Sequence, residues 1–428
     1  MMQIHVVKSG ETVMSIADFY GVERQALINS NALVAPYKII KGQSLVVPTT
    51  GNEYFVQPGD NLYDLALTYG VTSSQIATLS GISPYASLNV GQKLHLPPRK
   101  KRNIESIGYL QPTSNPIRPA LEESARTESK FLTYLAHFSF DAKRDGTLSE
   151  PPIGNIPQIA KDNRCIYMMV VSNLENGQFS TSLATDILQS PAVQDKLINT
   201  IISTANKYGF REVNIDFEDV ASTDRVAYIN FLNKVKSRLP QGFILSATLI
   251  PKTSSNQKGR FYEAHDYANI GKVVDFVVIM TYDWGWQGGP PMAVSPIDQV
   301  RKVINYAKTV IPVPKIVMGQ NLYGFDWKVP FKQGTMAKAL SAEAATNLAI
   351  QMTNEILFDN KARAPHFRYT ESNGQKHEVW FEDARSIQAK FNLIKEEKIR
   401  GISYWKLGLP FIQNWELLEA NFNVVKRA

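Results

Sequence analysis

The sequence contains a single cysteine in 428 residues, Cys165, and no long hydrophobic run. One cysteine excludes an intramolecular disulfide and a cysteine-based metal cluster. No stretch approaches the roughly 18 consecutive apolar residues that a transmembrane helix needs. The N-terminus also lacks the basic segment and apolar stretch of a secretory signal peptide. We therefore expect a protein without disulfides, without a membrane span and without a secretory signal.

Two widespread catalytic signatures are missing as well. None of the six histidines forms His-Glu-x-x-His, so we expect no zinc site. The pair His265–Asp266 resembles part of a catalytic dyad, but no Gly-x-Ser-x-Gly accompanies it, and we interpret it as structural. The sequence therefore predicts neither a metal nor a cofactor.

Positive charge is unevenly distributed along the chain. The first 98 residues hold five Lys or Arg and six Asp or Glu and so have a net charge of −1. Since the whole chain has a net charge of +7, the remainder has a net charge of +8. Half of that excess lies in the run 99–102, directly after two prolines. We interpret this run as a solvated linker, 99–104, and not as a nucleic-acid patch. The basic remainder would suit an anionic wall polymer.

The first hundred residues contain an internal repeat with an offset of 49. Residues 7–12 align with 56–61, Tyr-Gly-Val at 20–22 aligns with 69–71, and a Gly-Gln-x-Leu-x-x-Pro segment ends both copies. Each copy is predicted to form strand, helix, helix, strand, and the glycine of Tyr-Gly-Val stands where a helix ends. We place the two units at 1–49 and 50–98.

Both copies resemble the LysM domain over nearly their whole length. LysM domains bind polymers that contain N-acetylglucosamine, such as peptidoglycan and chitin. The resemblance implies sugar contacts in the loop after the first strand and the loop before the last strand. These residues, which would equally suit turns or helix caps, are Gly10, Glu11 and Thr12 with 31–33, and Gly59, Asp60 and Asn61 with 81–82.

From about residue 103, strand-like runs alternate with helical stretches, which is typical of a parallel α/β fold. We predict a (β/α)8 TIM barrel over 105–428. Its strand-like runs are 106–110, 131–140, 165–172, 212–218, 244–250, 276–282, 316–323 and 401–406.

The gap of about 77 residues between the seventh and eighth runs is too long for one helix and its loops. We therefore expect a small α+β insertion at about 325–385. The segments 367–370 and 377–381, on either side of Ser-Asn-Gly, are predicted to form a hairpin in it.

The fourth run is the most informative stretch of the sequence. As a strand it places Asn214, Asp216 and Glu218 on one face and apolar residues on the other. Three polar groups on one face are costly to bury unless they are paired and used. Glu218 lies at the C-terminal end of the strand, which is where a (β/α)8 barrel gathers its catalytic groups. A second carboxyl two residues below it would control its pKa and orientation.

Further polar and aromatic residues stand at the predicted C-terminal ends of other strands, at 280–283, 319–324 and 403–406. Aromatic rings stack on sugar faces while acids protonate or hydrogen-bond, so this set predicts a sugar site. The candidate substrate contacts are Asn214, Trp284, Gln320, Tyr323 and Trp405.

These residues resemble glycoside hydrolase family 18 over roughly 103–425. The family's strand-four signature, Asp-x-x-Asp-x-Asp-x-Glu, falls here on Arg211, Asn214, Asp216 and Glu218. The last two acids match, and the first two are absent. An amide at 214 cannot share a proton with Asp216, so we expect altered protonation around Asp216 without loss of activity, testable by the pH profile of Asn214→Asp.

Two other family motifs are present and one is not. Met-x-Tyr-Asp occurs at 280–283, and Trp405 matches the tryptophan that ends strand eight. The strand-three Ser-x-Gly-Gly is absent, and Ser172–Asn173 is the nearest equivalent. The departures leave the proton donor and its main partners in place.

The resemblance implies retaining, substrate-assisted hydrolysis of a 2-acetamido sugar. Glu218 would protonate the glycosidic oxygen and later activate water. Asp216 would orient the acetamido nitrogen, Tyr282 would hydrogen-bond its carbonyl, and Asp283 would help to fix the sugar. Trp405 would form the floor of the site.

Two LysM repeats followed by a family 18 barrel resemble the germination-related, cortex-lytic N-acetylglucosaminidases of spore-forming bacilli. This resemblance implies cleavage after N-acetylglucosamine in spore cortex peptidoglycan, and a location at the spore. A chitinase, a catalytically silent wall-binding lectin and a structural coat protein stay open as alternatives. The sequence gives no oligomeric state.

Overall fold

The structure is a computed structural model that describes residues 2–49, 51–98 and 101–427. Arg99 and Lys100, half of the basic run 99–102, lie outside the described residues. Arg102 already belongs to the first barrel strand, and its guanidinium donates to the backbone carbonyls of Ile394 and Ile399. The described end of the basic run is thus bound to the barrel.

The N-terminal repeats form two small βααβ units, as the sequence predicts. Thr12 and Asn61 cap the N-termini of equivalent helices, and Gly21 and Gly70 end those helices with positive φ. In each unit the first and last strands pair antiparallel. The elements are β1 (Met2–Val6), α1 (Val13–Tyr20), α2 (Arg24–Asn29), β2 (Ser44–Pro48), β3 (Glu53–Phe55), α3 (Leu62–Tyr69), α4 (Ser73–Ser80) and β4 (Lys93–His95).

The remainder of the described chain alternates strands and helices. Its strands are β5 (Arg102–Leu110), β6 (Tyr134–Ala142), β7 (Leu148–Ser149), β8 (Ile166–Ser172), β9 (Leu174–Glu175), β10 (Gln178–Phe179), β11 (Glu212–Asp216), β12 (Ile244–Leu249), β13 (Phe276–Ile279), β14 (Ile316–Asn321), β15 (Tyr323–Val329), β16 (Lys338–Ser341), β17 (Leu357–Asp359), β18 (Ala364–Thr370), β19 (Lys376–Trp380), β20 (Gly401–Trp405) and β21 (Phe422–Val424).

Its α-helices are α5 (Pro119–Glu128), α6 (Ile156–Asp162), α7 (Thr181–Gln189), α8 (Pro191–Tyr208), α9 (Arg225–Arg238), α10 (Tyr267–Val273), α11 (Ile297–Val310), α12 (Ala342–Gln351), α13 (Ala384–Glu397) and α14 (Ile412–Asn421). Short 3-10 turns cover Ser129–Phe131, Ser222–Asp224 and Val313–Lys315.

Eight parallel strands close into a barrel, which confirms the predicted (β/α)8 fold. The order is β5, β6, β8, β11, β12, β13, β14 and β20, and β20 pairs with β5 to complete the circle. Side chains alternate between the barrel interior and the surrounding helices. Residues such as Met168, Phe276 and Val317 fill the interior, whereas Val213 and Ile215 pack against the helices.

The predicted α+β insertion lies between β14 and β20. Five antiparallel strands form its sheet in the order β16, β15, β19, β18, β17, and α12 packs with it. The predicted hairpin is the pair β18 and β19. The seventh run is shorter than predicted, because β14 ends at Asn321 and Tyr323 begins the insertion sheet. The domain limits given above stay a prediction.

Both repeats pack against the barrel. Helix α3 lies along α13, where Thr68 Oγ1 donates to Asn392 Oδ1 at 3.1 Å. The first repeat meets the insertion, since the backbone N–H of Ile356 donates to the carbonyl of Lys41 at 3.1 Å. None of the helices in the described part of the chain has the length and hydropathy that a bilayer-spanning segment needs.

Candidate active site

A cavity of about 230 Å3 opens at the C-terminal mouth of the barrel. It brings together five of the residues that the sequence predicts, Asp216, Glu218, Tyr282, Asp283 and Trp405. Its full lining is Tyr109, Phe138, Phe179, Asp216, Glu218, Thr248, Val278, Met280, Tyr282, Asp283 and Trp405. Carboxyls from two loops or strands and several aromatic rings therefore face one small space, which is suited to a sugar ring.

The carboxyls reach this cavity through the alternation of β11. Val213, Ile215 and Phe217 point to the helix layer. Glu212, Asn214 and Asp216 are buried on the opposite, inner face. Glu218 follows two residues beyond the end of the strand and is half-buried at the mouth. The outward side chains are apolar because the helices cover them, which leaves the inner face for polar residues.

Asn173 holds the backbone of Glu218 on both sides. The N–H of Glu218 donates to Asn173 Oδ1 at 2.9 Å, and Asn173 Nδ2 donates to the carbonyl of Glu218 at 2.8 Å. Asn173 follows β8 and is fully buried. Sequence reasoning singled out Ser172–Asn173 only as the remnant of a family motif and missed this contact, since a side-chain bond to a remote backbone leaves no pattern in a single sequence.

Burial dominates the electrostatics of the two acids. It raises the pKa of Glu218 well above the usual value, and the neighbouring carboxyls of Asp216, Asp283 and Asp219 raise that pKa further. Burial also raises the pKa of Asp216, against a lowering contribution from Thr248. Two close carboxyls of raised pKa retain a proton near neutral pH, as a general acid requires.

Tyr282 and Asp283 lie in the loop after β13. Gly319 leaves room for Tyr282, because a Cβ there would lie 3.0 Å from Tyr282 Cε1 and 2.6 Å from the carbonyl oxygen of Ile279. Tyr323 Oη donates to Asp283 Oδ1 at 2.6 Å. Burial raises the pKa of Asp283, and the hydrogen bond from Tyr323 opposes this rise. Tyr323 thus acts on the cleft through Asp283.

Trp405 stands between two aromatic residues that sequence reasoning missed. Its ring centroid lies 4.8 Å from that of Phe138 and 5.9 Å from that of Tyr109, both in edge-on geometry. Phe179, on the short strand β10, also lines the cavity. Tyr109 lies on the inner face of its strand with Ile107, and Phe138 lies on the inner face of its strand with Ala136. The alternation of side chains along each strand could therefore have predicted that Tyr109 and Phe138 point into the barrel.

The structure does not bring every candidate to the cavity. Gln320 is fully buried, and its Nε2 donates to the carbonyl and the Oδ1 of Asn321. Trp284 packs against the helix-side core. Asn214 lies below Asp216 inside the barrel and is fully buried. The prediction that 319–324 all lie at the mouth of the barrel did not take the alternation of β14 into account. Gln320 lies on the same face of β14 as Met318, and this face is directed toward the helices.

Trp286, two residues after Trp284, is the exposed indole of this loop. Its side chain is 53% exposed. The ring lies close to Gly288 and Gly289, where an added Cβ would come within 2.4 and 2.5 Å of ring atoms. An exposed indole that lies against two glycines is a suitable platform for a sugar face.

In the repeats, the predicted sugar-contact residues have roles in the fold. Glu11 Oε2 accepts the N–H of Lys8 at 2.7 Å and contacts the His5 ring at 2.8 Å. Asp60 Oδ2 makes the equivalent bonds, to the N–H of Gln57 and to Tyr54 Oη, both at 2.6 Å. Among the other predicted residues, Gly10 and Gly59 have positive φ, and Thr12 and Asn61 cap helices.

Metal ligands are not clustered in the part of the chain that the structure describes. No group of three or more His, Cys, Asp or Glu side chains there could hold a metal ion. Cys165 is buried, and its Sγ lies 3.2 Å from the carbonyl oxygen of Ser129.

A closed (β/α)8 barrel with paired carboxyls, a phenol and an indole at its C-terminal mouth defines a glycoside hydrolase. The model of Glycosyl hydrolases family 18 matches residues 106–409, and the LysM domain model matches residues 5–48 and 54–97. The chain therefore belongs to glycoside hydrolase family 18 and carries two LysM domains.

Similar proteins match the chain over its full length. It is 54% identical over 429 residues to the cortical fragment-lytic enzyme of Bacillus anthracis, covering 100% of both chains. It is 48% identical to that of Bacillus subtilis (strain 168), covering 100% of this chain and 99% of the relative. The crystal structure of the Bacillus cereus spore cortex-lytic enzyme SleL superposes with a TM-score of 0.98 at 55% identity, covering 99% of each chain.

Proposed function

We propose that this family 18 enzyme hydrolyses spore cortex peptidoglycan, or fragments of it, after N-acetylglucosamine. The observation that carries the proposal is the cavity in which Asp216 and Glu218 face Tyr282 and Trp405. The full-length similarity to cortical fragment-lytic enzymes supports cortex as the source of the glycan. That similarity also supports a location at the spore.

The carboxyl of Glu218 is the proton donor of the proposed reaction. Burial and the neighbouring carboxyls raise its pKa, which keeps a proton on a group that lines the cavity. Glu218 protonates the glycosidic oxygen as the bond to the anomeric carbon breaks. In the second half of the reaction, the same carboxylate accepts a proton from the attacking water.

The substrate's own acetamido oxygen is the nucleophile, which explains why the cleft needs no second catalytic carboxylate at nucleophile distance. Asp216 orients the acetamido N–H and stabilises the cyclic oxazolinium intermediate. Tyr282 hydrogen-bonds the acetamido carbonyl and holds it on the attack path. Asp283, held by Tyr323, fixes the sugar, and Trp405 supports its face.

We propose that the LysM domains hold the enzyme on the same glycan. Gly10, Thr12 and Gly59 are exposed, and Gly59 and Asp60 line a cavity of about 320 Å3 that the second repeat shares with Arg363 and Arg385 of the barrel domain. Two weak sites on one polymer raise avidity without new contacts. We retain the limits 1–49, 50–98 and 105–428 for the three units.

Digestion of purified cortex peptidoglycan and of chitin oligomers, followed by mass spectrometry, tests the proposal. The wild type should generate new N-acetylglucosamine reducing ends from cortex. Glu218→Gln should reduce their rate of formation at least about 100-fold, because loss of a general acid typically costs this much. Glu123→Gln, on an exposed side chain of α5, is the matched control and should cleave normally.

Three results would decide against the proposal in different ways. Cleavage of chitin oligomers but not cortex would identify a chitinase. Binding to cortex without turnover by the wild type would identify a lectin or a coat protein. Equal rates for Glu218→Gln and the wild type would remove Glu218 from the mechanism.

A further inference from the structure

The first repeat and the insertion enclose a cavity of about 480 Å3 that shares no lining residue with the catalytic cavity. One wall is the loop between α2 and β2, with residues 31–36 and Lys38. The other wall is one face of α12, and Glu382 lies at the buried end. The predicted sugar loop of the first repeat therefore lies beside the barrel domain.

Hydrogen bonds around Asn31 hold the loop wall in place. Asn31 Oδ1 accepts from Gln413 Nε2 at 2.8 Å and from the N–H of Val46 at 2.7 Å. Asn31 Nδ2 donates to the carbonyls of Leu27 and Val46, both at 2.8 Å. Asn31 is thus used by the fold and not available to a sugar. The wall that it fixes is preorganised for a ligand, which reduces the entropy lost on binding.

Helix α12 presents different residues to its two sides. Ala345 and Ala349 are fully buried in the core of the insertion. Asn347 and Gln351, one helical turn apart, line the cavity, and both are exposed. Neither side-chain amide forms a hydrogen bond with another residue of the described chain. The two amides are therefore accessible to a ligand in the cavity.

The charges around the cavity are balanced. Lys38 and Glu343 are the charged residues of its two walls, and Glu382 forms a buried ion pair with Lys390 at 3.3 Å. A cavity without excess charge is complementary to a neutral ligand. Glu382 Oε1 has no hydrogen-bond partner among the described residues. A buried acceptor of this kind favours a ligand with N–H or O–H donors.

An acetamido sugar has the groups that this surface requires. The acetamido group carries one N–H donor, one carbonyl acceptor and a methyl group. The amides of Asn347 and Gln351 each offer both a donor and an acceptor. Leu33 and Ile350 provide apolar surface for the methyl group and the sugar face. The sugar hydroxyls supply further donors without adding charge.

We propose that this cavity is a binding site for an acetamido sugar unit of a glycan strand, formed jointly by the first repeat and the insertion. The inference rests on the proposed function for the choice of a glycan, and it adds a site outside the catalytic cleft. Asn347 and Gln351, roughly 5–6 Å apart at their Cβ atoms, hydrogen-bond the acetamido group and its neighbour on the strand. A strand that occupies this site and the cleft is held at two places on one molecule.

Methyl NMR of the full-length Glu218→Gln protein tests the site, because this variant should bind glycans without cleaving them. The δ1-methyl signal of Ile350 reports on this cavity, and the ε-methyl signal of Met280 reports on the catalytic cavity. Each signal is assigned by its loss in Ile350→Val or Met280→Leu. The N-acetylglucosamine hexamer should move both signals. Cellohexaose, which has hydroxyls in place of the acetamido groups, should bind at the Ile350 site at least about tenfold more weakly, as expected for two lost hydrogen bonds.

The double variant Asn347→Ala/Gln351→Ala in the same background should weaken binding of the hexamer at Ile350 about tenfold, for the same reason. The response of Met280 should not change. Alanine is favourable in a helix, so the variant should fold. Asn206→Ala, on an exposed side chain of α8, is the matched control and should change neither response.

Two results would overturn the proposal directly. One is an Ile350 signal that no acetamido glycan moves, or that moves at the same concentration in the double variant. The other is equally tight binding of cellohexaose and the N-acetylglucosamine hexamer at Ile350.

The two methyl reporters distinguish failure of this inference from failure of the proposed function. A response at Ile350 without a response at Met280 would support the site and reject the cleft as the place where the glycan binds. Cortex strands freed of their stem peptides should move the Ile350 signal as the hexamer does. A response to the hexamer alone would support the site and identify chitin as its source of glycan. A response only to cortex fragments that keep their peptides would identify a peptide site and overturn the proposal.

Discussion

At the scale of single residues, burial raises the pKa of the cleft carboxyls Asp216, Glu218 and Asp283, and for Glu218 the neighbouring carboxyls raise the pKa further. Burial, Asp216, Asp283 and Asp219 all raise the pKa of Glu218. Asp219 differs from the others because Arg260 forms an ion pair with it. The unpaired charges of Asp216 and Asp283 therefore act most directly on the proton that Glu218 delivers.

Asp283→Asn should move the basic limb of the kcat/KM profile to lower pH. Asp283 is one of the negative charges that disfavour ionised Glu218, so its removal lowers the pKa of Glu218. The acid form of Glu218 is then lost at a lower pH, by up to about one unit for a neighbouring charge. Profiles of the wild type and the variant on the same substrate measure the shift.

Tyr323→Phe is the control for this variant. It removes the hydrogen bond to Asp283 Oδ1 but keeps the carboxyl, so the basic limb should stay close to that of the wild type. A basic limb that does not move in Asp283→Asn would show that Asp283 has no influence on the proton of Glu218.

Much of the site could be predicted at this scale from alternation alone. A strand has a period of two, so Asp216 and Glu218 could be placed on one face from the sequence. The same rule, applied to β14, predicts that Gln320 points away from the cavity. Applied to β5, it predicts that Tyr109 points into the barrel interior with Ile107. Alternation could not predict the role of Asn173, because its hydrogen-bond partner is the backbone of a residue 45 positions away.

At the scale of elements, the loops after the barrel strands position the chemistry. The end of β8 supplies Asn173, which fixes the peptide on both sides of Glu218. Strand periodicity predicts where β8 and β11 end, but not the path of the chain beyond them. Such loop contacts determine where a proton donor stands, and small displacements there are costly for catalysis.

Asn173→Ala should lower kcat roughly tenfold or more and leave KM nearly unchanged. The alanine removes both hydrogen bonds to the Glu218 peptide, so the carboxyl loses its fixed position while the sugar-binding surfaces remain. Steady-state kinetics on cortex fragments measures both constants.

Asn163→Ala provides the matched comparison. Asn163 precedes the other end of β8, and its Nδ2 donates to the carbonyl of Ile159. Its loss should leave kcat within about twofold, as is usual away from the chemistry. Equal losses in the two variants would indicate general destabilisation instead of a positioned acid.

Trp286→Ala should raise KM on long glycans severalfold with little change in kcat. The indole lies exposed on Gly288 and Gly289, in the loop that also carries Tyr282 and Asp283. A stacking platform outside the catalytic cavity contributes to binding in the ground state and the transition state equally. Val226→Ala, an exposed apolar residue of α9, should leave both constants unchanged. An unaltered KM for Trp286→Ala would exclude this surface from glycan binding.

At the scale of the whole molecule, the repeats are packed onto the enzyme and not merely tethered to it. Arg385 of α13 donates to the carbonyl of Gly42 at 2.9 Å, and Gln413 of α14 donates to Asn31 at 2.8 Å. The repeat and the barrel could both be predicted from the sequence. Their contact could not, because it joins segments more than 300 residues apart that show no common pattern.

The internal repeat itself offers a test of this docking. Gly42 and Gly91 are equivalent in the two units and share a positive φ of 82° and 83°. Alanine at either position carries the cost of a left-handed backbone, roughly 1–2 kcal/mol. Only at Gly42 would the added Cβ also collide with the barrel domain, 1.9 Å from the carbonyl oxygen of Ile356, whereas nothing lies within 4 Å at Gly91.

Gly42→Ala should therefore destabilise the protein more than Gly91→Ala, and it should loosen the first repeat from the insertion. The expected results are a lower Tm for Gly42→Ala and faster proteolysis between the first repeat and the barrel. Activity on short soluble fragments should stay close to that of the wild type, because no cleft residue moves. Equal Tm values and equal proteolysis for the two variants would mean that the first repeat does not depend on this contact, since the backbone cost is common to both and the collision is not.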